Sequence, residues 1–317
     1  MGMKVVALAG GVGGAKLVAG LAAVVDPADL TVVVNTGDDF EHLGLSIWPD
    51  LDTVMYTLAD LANRETGWGR RDETWSFLTS VGELGGPTWF RLGDKDLALH
   101  VSRTDWLRQG MRPVEVVRKL CDRLGVRHRV LPMSQDPVRT MVATNEGELR
   151  FQEYFVARGC QPTVQGFRFE GADSSSASPG VLEALSAADV VILCPSNPWV
   201  SIDPILAVPG IQSAVADRLA VAVSPIIAGK AVRGPAAKIF QEMGIPPSPL
   251  AVAGHYRTLL RGIVIDRADA ALQGALEVSG VSVRAVPTLM RSSRDRHALA
   301  EATLAFARDL AGARVAS

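Results

Sequence analysis

Residues 5–16 of the chain are Val5-Val6-Ala7-Leu8-Ala9-Gly10-Gly11-Val12-Gly13-Gly14-Ala15-Lys16. An apolar run of strand length is followed by four glycines within five positions, and Lys16 then opens a helical pattern. A strand, a glycine turn and a helix N-terminus form a site for anions, because glycine lets the backbone approach closely and the first helical N–H groups are unpaired. The stretch therefore predicts a phosphate-type ligand beside Lys16. The alternative is a tight turn that binds nothing.

Neither common phosphate motif fits this turn. A P-loop has Gly-Lys followed by Ser or Thr, whereas here Ala15 precedes Lys16 and Leu17 follows it. A dinucleotide fingerprint needs a small residue at the position that Lys16 occupies. The turn therefore indicates phosphate binding of another kind, and it disfavours an NAD(P)-dependent oxidoreductase.

The composition is that of a globular protein. The 317 residues, 48% of them hydrophobic, are enough for one large domain or two modest ones. A net charge of -2 without a basic tract gives no indication of nucleic-acid binding. Cys121, Cys160 and Cys194 lack metal-ligand spacing and indicate a reducing compartment. The N-terminal apolar run is far too short to span a membrane, so we expect a cytoplasmic protein without a membrane partner.

The first 39 residues predict a βαβ unit. Residues 17–25 have a helical pattern, and residues 30–35 form a second apolar run that ends in Thr36-Gly37-Asp38-Asp39. Nearly continuous apolar strands indicate a parallel sheet covered on both faces. Ligands of such sheets bind at the carboxyl ends of the strands. The glycine turn and Asp38-Asp39 are therefore expected to face one crevice.

The remaining segments predict a Rossmann-like α/β fold with three layers and a mostly parallel sheet. Strands are expected at 189–194, 219–223, 262–265 and 281–284, and a final helix at 293–313. Residues 60–125 have helical patterns, and three strand-like segments follow at 126–131, 139–144 and 149–156. We interpret residues 1–317 as a single α/β domain with an insert of helices and then antiparallel strands at about 60–170.

Four aspartates follow the predicted strand ends or open the next helix: Asp38, Asp39, Asp50 and Asp52. Carboxylate oxygens suit Mg²⁺, which binds one or two carboxylates together with substrate phosphates. For Asp38 and Asp39 we favour a functional role, because adjacent buried carboxylates repel each other unless a cation or a donor compensates. For Asp50 and Asp52 helix capping is an equal alternative.

Two further loops could bind anions. Ser196-Asn197-Pro198 with Ser201 follows an apolar strand, and its hydroxyl and amide groups suit a phosphate or a ribose, although turns use the same residues. Lys230 with Arg233 and Lys238 follows another strand, and the alternative there is a solvated loop. Anion sites beside a carboxylate cluster indicate phosphoryl-type or nucleotidyl-type transfer with a divalent metal.

In order along the chain, these blocks closely resemble the 2-phospho-L-lactate transferase family of deazaflavin coenzyme F420 biosynthesis. The blocks are Ala9-Gly10-Gly11-Val12-Gly13-Gly14-Ala15-Lys16, Asn35-Thr36-Gly37-Asp38-Asp39, Pro49-Asp50-Leu51-Asp52-Thr53, Cys194-Pro195-Ser196-Asn197-Pro198 with Ser201-Ile202, residues 224–235, and Val264-Ile265-Asp266. Each block alone is weak evidence, but the ordered set is specific. The resemblance covers residue 4 to about residue 290.

The resemblance implies a phosphotransferase for substituted phosphate groups. It would move phospholactate, phosphoenolpyruvate or phosphoglycerate from a guanosine diphosphate-linked donor to the ribityl hydroxyl of the deazaflavin Fo, release GMP, use Mg²⁺ and form a homodimer. The residues carried over for donor and nucleotide binding are Gly11, Gly13, Gly14, Lys16, Ser196, Asn197, Ser201, Lys230 and Arg233. Those carried over for metal binding are Asp38, Asp39, Asp50 and Asp52, with Asp38 and Asp39 also catalytic. No residue is carried over for the Fo ring. The tryptophans of residues 60–125 could supply a stacking surface for it, although such tryptophans are more often core residues.

A second hypothesis is a nucleotide-binding regulatory protein without catalysis. It would use the same loops to sense a guanine or uridine nucleotide. The acidic cluster argues against it, since a sensor has little need of four aspartates around a phosphate loop.

Overall fold

The computed structural model describes residues 2–232 and 234–315. The strands are β1 Val5–Ala9, β2 Leu30–Val34, β3 Phe40–His42, β4 Leu45–Ile47, β5 Arg129–Pro132, β6 Arg139–Thr144, β7 Gly147–Arg150, β8 Val164–Glu170, β9 Val190–Leu193, β10 Ala220–Val223, β11 Ile226–Ile227, β12 Lys230–Ala231, β13 Leu260–Asp266 and β14 Ser282–Val286. The helices are α1 Gly11–Val24, α2 Pro49–Leu58, α3 Ser76–Glu83, α4 Asp94–Arg108, α5 Pro113–Leu124, α6 Val181–Ala187, α7 Asp203–Ala207, α8 Ile211–Ala216, α9 Ala236–Glu242, α10 Pro249–His255, α11 Gln273–Val278 and α12 Ser293–Val315. Short π-helical turns occur at Glu153–Ala157 and Pro198–Ile202.

The central sheet confirms the predicted Rossmann-like fold. Its seven strands lie in the order β14-β13-β10-β9-β1-β2-β5, and each neighbouring pair is parallel. The chain therefore runs outward from β1 in one direction and later returns to add β9 on the other side of it. The loops after β1 and β9 meet at this reversal of strand order, which is where doubly wound folds bind ligands.

Helices cover both faces of the sheet. Val5, Ala7 and Ala9 pack with residues of α1, α2, α5 and α12 in one core cluster. Val6 and Leu8 point to the other face and pack with residues of α6 to α11. Because alternate residues of β1 enter two separate cores, this strand is apolar along its whole length, as the sequence predicted.

Two predictions about the insert are wrong in detail. Residues 126–131 were expected in an antiparallel unit, but β5 pairs in parallel with β2 at the edge of the central sheet. Three of the four residues of β5 are buried, as in the central strands, so the sequence pattern alone did not reveal its partner strand. Residues 149–156 were expected to be one strand, but β7 ends at Arg150 and a helical segment follows. The antiparallel sheet has the order β7-β6-β8.

No helix within the described part of the chain is long and apolar enough to cross a membrane. The three cysteines are unpaired thiols.

Candidate active site

The glycine turn after β1 is already helical. Helix α1 begins at Gly11 rather than near residue 17, where the sequence pattern predicted it. The N–H of Gly11 donates to Oδ1 of Asp50 over 2.7 Å, so a carboxylate from α2 satisfies the first donor of α1. The pattern missed this start because glycine is a poor helix former and its partner lies 39 residues further along the chain.

Two glycines of α1 let the loop after β9 pass close to the helix. A Cβ atom at Gly13 would lie 2.3 Å from the carbonyl oxygen of Pro195, and a Cβ atom at Gly14 would lie 2.6 Å from Oγ of Ser196. The hydroxyl of Ser196 donates to the carbonyl oxygen of Gly10 over 2.7 Å. These glycines therefore join the two strand-end loops at the reversal point of the sheet.

Asp38 and Asp50 meet beside this junction. Both are buried, and both line the same cavity. Asn35 holds the arrangement together: its Nδ2 donates to Oδ2 of Asp50 over 2.9 Å and to the carbonyl oxygen of Val200 over 3.1 Å. Its Oδ1 accepts the N–H of Gly37 over 2.8 Å. Sequence reasoning gave Asn35 no role, although its position directly after β2 was an available signal.

Burial raises the pKa of the carboxyl groups here. The pKa of Asp50 is raised to about 6 by burial, against hydrogen bonds from Asn35 and Gly11. The pKa of Asp38 is raised well above its ordinary value by burial and then by the charge of Asp50. Burial also raises the pKa of Asp39, although Arg139 and Arg103 oppose this. A bound cation would lower these pKa values, because it favours the ionised carboxylates.

The residues fit a magnesium ion. Oδ1 of Asp38 and Oδ1 of Asp39 are buried and have no hydrogen-bond partner among the described residues. A buried carboxylate oxygen without a donor is costly, and a hard divalent cation would compensate it. Asp38 and Asp50 are the pair that faces the cavity, whereas Asp39 lies outside its lining.

Asp52 differs from the other predicted metal ligands. Its carboxylate forms an ion pair with Arg103 of α4, whose side chain is fully buried. Arg103 also donates to the carbonyl oxygen of Ser46 over 3.2 Å and lies 4.4 Å above the ring of Trp48. Burial raises the pKa of Asp52, and Arg103 opposes the shift. The structure therefore places Asp52 in a buried ion pair and outside the cavity lining.

The same network contains groups that sequence reasoning missed. Asp52, Asp96 and His100 bring ligand atoms within 4.8 Å of one another, which is metal-ligand spacing. The hydroxyl of Tyr56 donates to Oδ1 of Asp96 over 2.6 Å, and Nε2 of His100 lies 3.4 Å from that oxygen. Because the guanidinium of Arg103 already supplies a cation there, we interpret this group as structural. Asp52 and Tyr56 lie four residues apart on α2, and Asp96 and His100 lie four residues apart on α4. What the sequence could not reveal is that these two helices meet.

The loop after β9 brings its predicted residues to the cavity. Ser196, Asn197 and Ser201 all line it. Oδ1 of Asn197 accepts the N–H of Trp199 over 3.1 Å and so caps the π-helical turn. Nδ2 of Asn197 is buried and has no partner within the described residues. A buried donor without a partner is costly, which makes Asn197 a candidate for ligand binding.

Of the cationic residues that the sequence predicted for anion binding, some line the cavity and others do not. Lys16 lines the cavity, and its Nζ donates to the carbonyl oxygen of Met290 over 3.2 Å. Lys230 is exposed and lies outside the lining, and Arg233 falls outside the described residues. Lys238 forms an ion pair with Glu242 and donates to the carbonyl oxygen of Pro162 over 3.2 Å, so it joins α9 to the antiparallel sheet.

The cavity has a volume of about 730 Å³. This lies in the upper part of the range for ligand pockets, which is about 300–1,000 Å³. Aromatic residues from two segments line it. Trp68, Trp89 and Phe90 come from the helical insert and are called the tryptophan wall here, whereas Phe151 and Phe155 come from the segment after β7. Trp68 and Trp89, for which the sequence left the core and a stacking surface as alternatives, are 42% and 37% exposed.

Comparison with known proteins gives consistent results. The family model of the 2-phospho-L-lactate transferase CofD matches residues 5–283. The chain is 45% identical to the phosphoenolpyruvate transferase of Kitasatospora aureofaciens, covering 96% of this chain and 98% of that protein. It is 40% identical to the 2-phospho-L-lactate transferase of Methanopyrus kandleri, covering 98% of this chain and 100% of that protein. A UPF0052-family protein from Bacillus halodurans shares the fold, with a TM-score of 0.62 and 17% identity. The structural match covers 95% of this chain and 99% of that protein.

The fold and the cavity define a Rossmann-like α/β enzyme that has its cavity at the reversal point of the sheet. The family match extends over most of the chain and agrees with the names of its relatives. The chain belongs to the CofD family of 2-phospho-L-lactate transferases.

Proposed function

We propose that this protein transfers a phospho-acid moiety from a guanosine diphosphate-linked donor to the terminal ribityl hydroxyl of the deazaflavin Fo, with release of GMP, in coenzyme F420 biosynthesis. The observation that carries the proposal is the unpartnered, buried Oδ1 of Asp38 in a cavity that also contains the N-terminus of α1. A carboxylate beside a helix N-terminus suits a metal-assisted reaction of phosphates.

The donor phosphates fit the N-terminus of α1. Gly11, Gly13 and Lys16 line the cavity there, and the first-turn N–H groups after Gly11 have no intrahelical partner. The nucleotide side would extend toward Ser196 and Asn197 on the neighbouring loop. Gly14 would contribute indirectly, since it allows that loop to lie close to the helix.

The reaction would be an in-line displacement. The Fo hydroxyl oxygen attacks the phosphorus next to the organic acid, so that a new O–P bond forms while the P–O bond to GMP breaks. The hydroxyl loses its proton, and Asp38 is the group we assign to accept it, because its carboxylate lines the cavity. Mg²⁺ held by Asp38 and Asp50, with Asp39 nearby, would neutralise the phosphate charge.

The wall of Trp68, Trp89 and Phe90 suits the flat deazaflavin ring. Trp68 and Trp89 expose part of their rings to the cavity. Exposed aromatic faces bind flat heterocycles by offset stacking. This assigns the acceptor to the side of the cavity formed by the helical insert.

Phosphoenolpyruvate is the acid we favour. Relatives of that name include those from Kitasatospora aureofaciens and Thermobifida fusca, at 45% and 43% identity. The relative named for 2-phospho-L-lactate is 40% identical. The identities differ little, so the choice among the three acids needs a direct assay.

The test is a mass-resolved assay with purified protein, Mg²⁺, Fo and each of the three donors in turn. We expect an Fo product carrying phosphoenolpyruvate, together with one equivalent of GMP. Asp38→Asn should abolish the product. Asp173→Asn, the same change at an exposed position, should leave it unchanged. Absence of product with all three donors, from protein that still binds GDP, would refute the proposal.

A further inference from the structure

Gln152 is a buried amide to which the fold gives no partner. The residue is 7% exposed, precedes the turn Glu153–Ala157 and lines the cavity. Its side chain forms no hydrogen bond with any described residue. The amide atoms are not sealed inside the protein either, so its N–H and C=O groups are open to the cavity. Because these groups face the cavity and form no hydrogen bond to another described residue, they are available to a ligand there.

The neighbours of Gln152 form a surface for a flat ring. Phe151 and Phe155 are stacked, with centroids 5.4 Å apart and an angle of 6° between their planes. Phe151 is buried, but Phe155 is 37% exposed and lines the cavity. A ligand ring could therefore continue this stack on the exposed face of Phe155.

The hydrogen-bonding groups of the Gln152 side chain indicate which edge of the ligand ring it would bind. A glutamine side chain presents one acceptor oxygen beside one N–H donor. Its complement is a cyclic lactam, in which an N–H group lies next to a carbonyl oxygen. We propose that Gln152 forms two hydrogen bonds to the lactam edge of a flat heterocyclic ligand that stacks on Phe155.

This inference rests on the proposed function, whose two substrates both contain a lactam edge. Guanine in the donor has one, and the pyrimidinedione ring of the deazaflavin acceptor has another. The tryptophan wall is assigned above to the acceptor, so guanine is the expected ligand of Gln152. The experiment separates the two sources.

The test compares Gln152→Met with the wild type in direct binding. Methionine keeps the length and removes both hydrogen-bonding groups. GDP affinity is measured by calorimetry with Mg²⁺, and Fo affinity by the fluorescence of Fo. Loss of two net hydrogen bonds should raise the Kd for GDP about 5- to 100-fold and leave the Kd for Fo within about twofold. Gln161→Met, at an exposed position outside the lining, is the matched control.

A modified ligand tests the same contact without relying on the variant alone. GDP methylated at N1 of guanine lacks the lactam N–H. It should bind the wild type much more weakly than GDP does, whereas Gln152→Met should bind the two ligands almost equally.

The binding measurements separate the possible results. A loss of affinity for GDP alone supports the contact with guanine. A loss of affinity for Fo alone supports the lactam contact but assigns it to the acceptor. Unchanged affinities with intact folding overturn this inference alone, and the proposed function stands. Equal losses for both ligands also overturn it, because they indicate a general disturbance of the cavity. A wild type that binds neither ligand overturns the proposed function and this inference together.

Discussion

Gly13 lies where α1 passes the carbonyl oxygen of Pro195, so Gly13→Ala tests the close approach of the two strand-end loops. The added Cβ would lie 2.3 Å from that oxygen, and Cβ contacts below 3.0 Å are essentially never observed. The helix and the loop would therefore have to separate by about 0.7 Å. Overpacking of this kind costs about 1–3 kcal/mol. Alanine returns at most about 1 kcal/mol of helix propensity.

The expected net loss is about 0.5–2 kcal/mol, which for a chain of 317 residues lowers Tm by about 1–3 °C. The assay is calorimetric or fluorescence-detected unfolding. Gly254→Ala is the matched control, because it lies in α10 with nothing within 4 Å of the added Cβ, and it should raise Tm slightly. If Gly13→Ala were as stable as Gly254→Ala, the reasoning about close packing at Pro195 would be refuted.

Three further predictions concern charge and the cavity wall. Arg103→Met should destabilise the fold by about 3–5 kcal/mol, because it leaves the buried Asp52 carboxylate without its guanidinium partner and with only the His100 ring, at 3.7 Å, beside it. Adding Asp52→Asn should restore stability in chemical unfolding, and no restoration would contradict the ion pair. Burial raises the pKa of Asp50 to about 6 in the folded state, so the stability of the wild type relative to Asp50→Asn, measured without Mg²⁺, should decrease as pH rises from about 4 to 7. A relative stability that stays constant over this range would disprove the raised pKa. Trp68→Ala should raise the Kd for Fo about 5- to 100-fold and change Tm little, since the ring is 42% exposed; unchanged Fo fluorescence titrations would exclude Trp68 from the acceptor site.

The layout of the central sheet could be predicted because each strand can be recognised from its own residues and from the turn residues that follow it. Apolar runs such as β1 and β9 indicate strands that are buried on both faces of the sheet, and turn residues indicate where these strands end. The rule that ligands bind at carboxyl ends of parallel strands then brought Asp38 to the glycine turn without any structure. These inferences need only the order of segments along the chain.

The failures share a different physical cause. Asp52 could not be separated from Asp50 by sequence, because the distinction depends on Arg103, which comes 51 residues later. Gln152 was placed in a strand, since the alternation of residues 149–156 continues across the point where helical backbone begins. For Trp68 and Trp89 the sequence left the core and a stacking surface as alternatives, because tryptophan is usually buried and its exposure depends on how distant segments pack.

The hydrogen bond between Ser196 and the carbonyl oxygen of Gly10 also has a consequence for folding during synthesis on the ribosome. The two residues are 186 positions apart, and β1 lies between β2 and β9 in the finished sheet. At about 5–20 residues per second, a ribosome needs on the order of 10–40 s to supply β9 after it has made the glycine turn. During that time β1 can pair with β2, but its other edge stays open and the binding loop lacks its second half. We expect β1 to reach its full protection from proteolysis in stalled nascent chains only when the ribosome has passed well beyond residue 200.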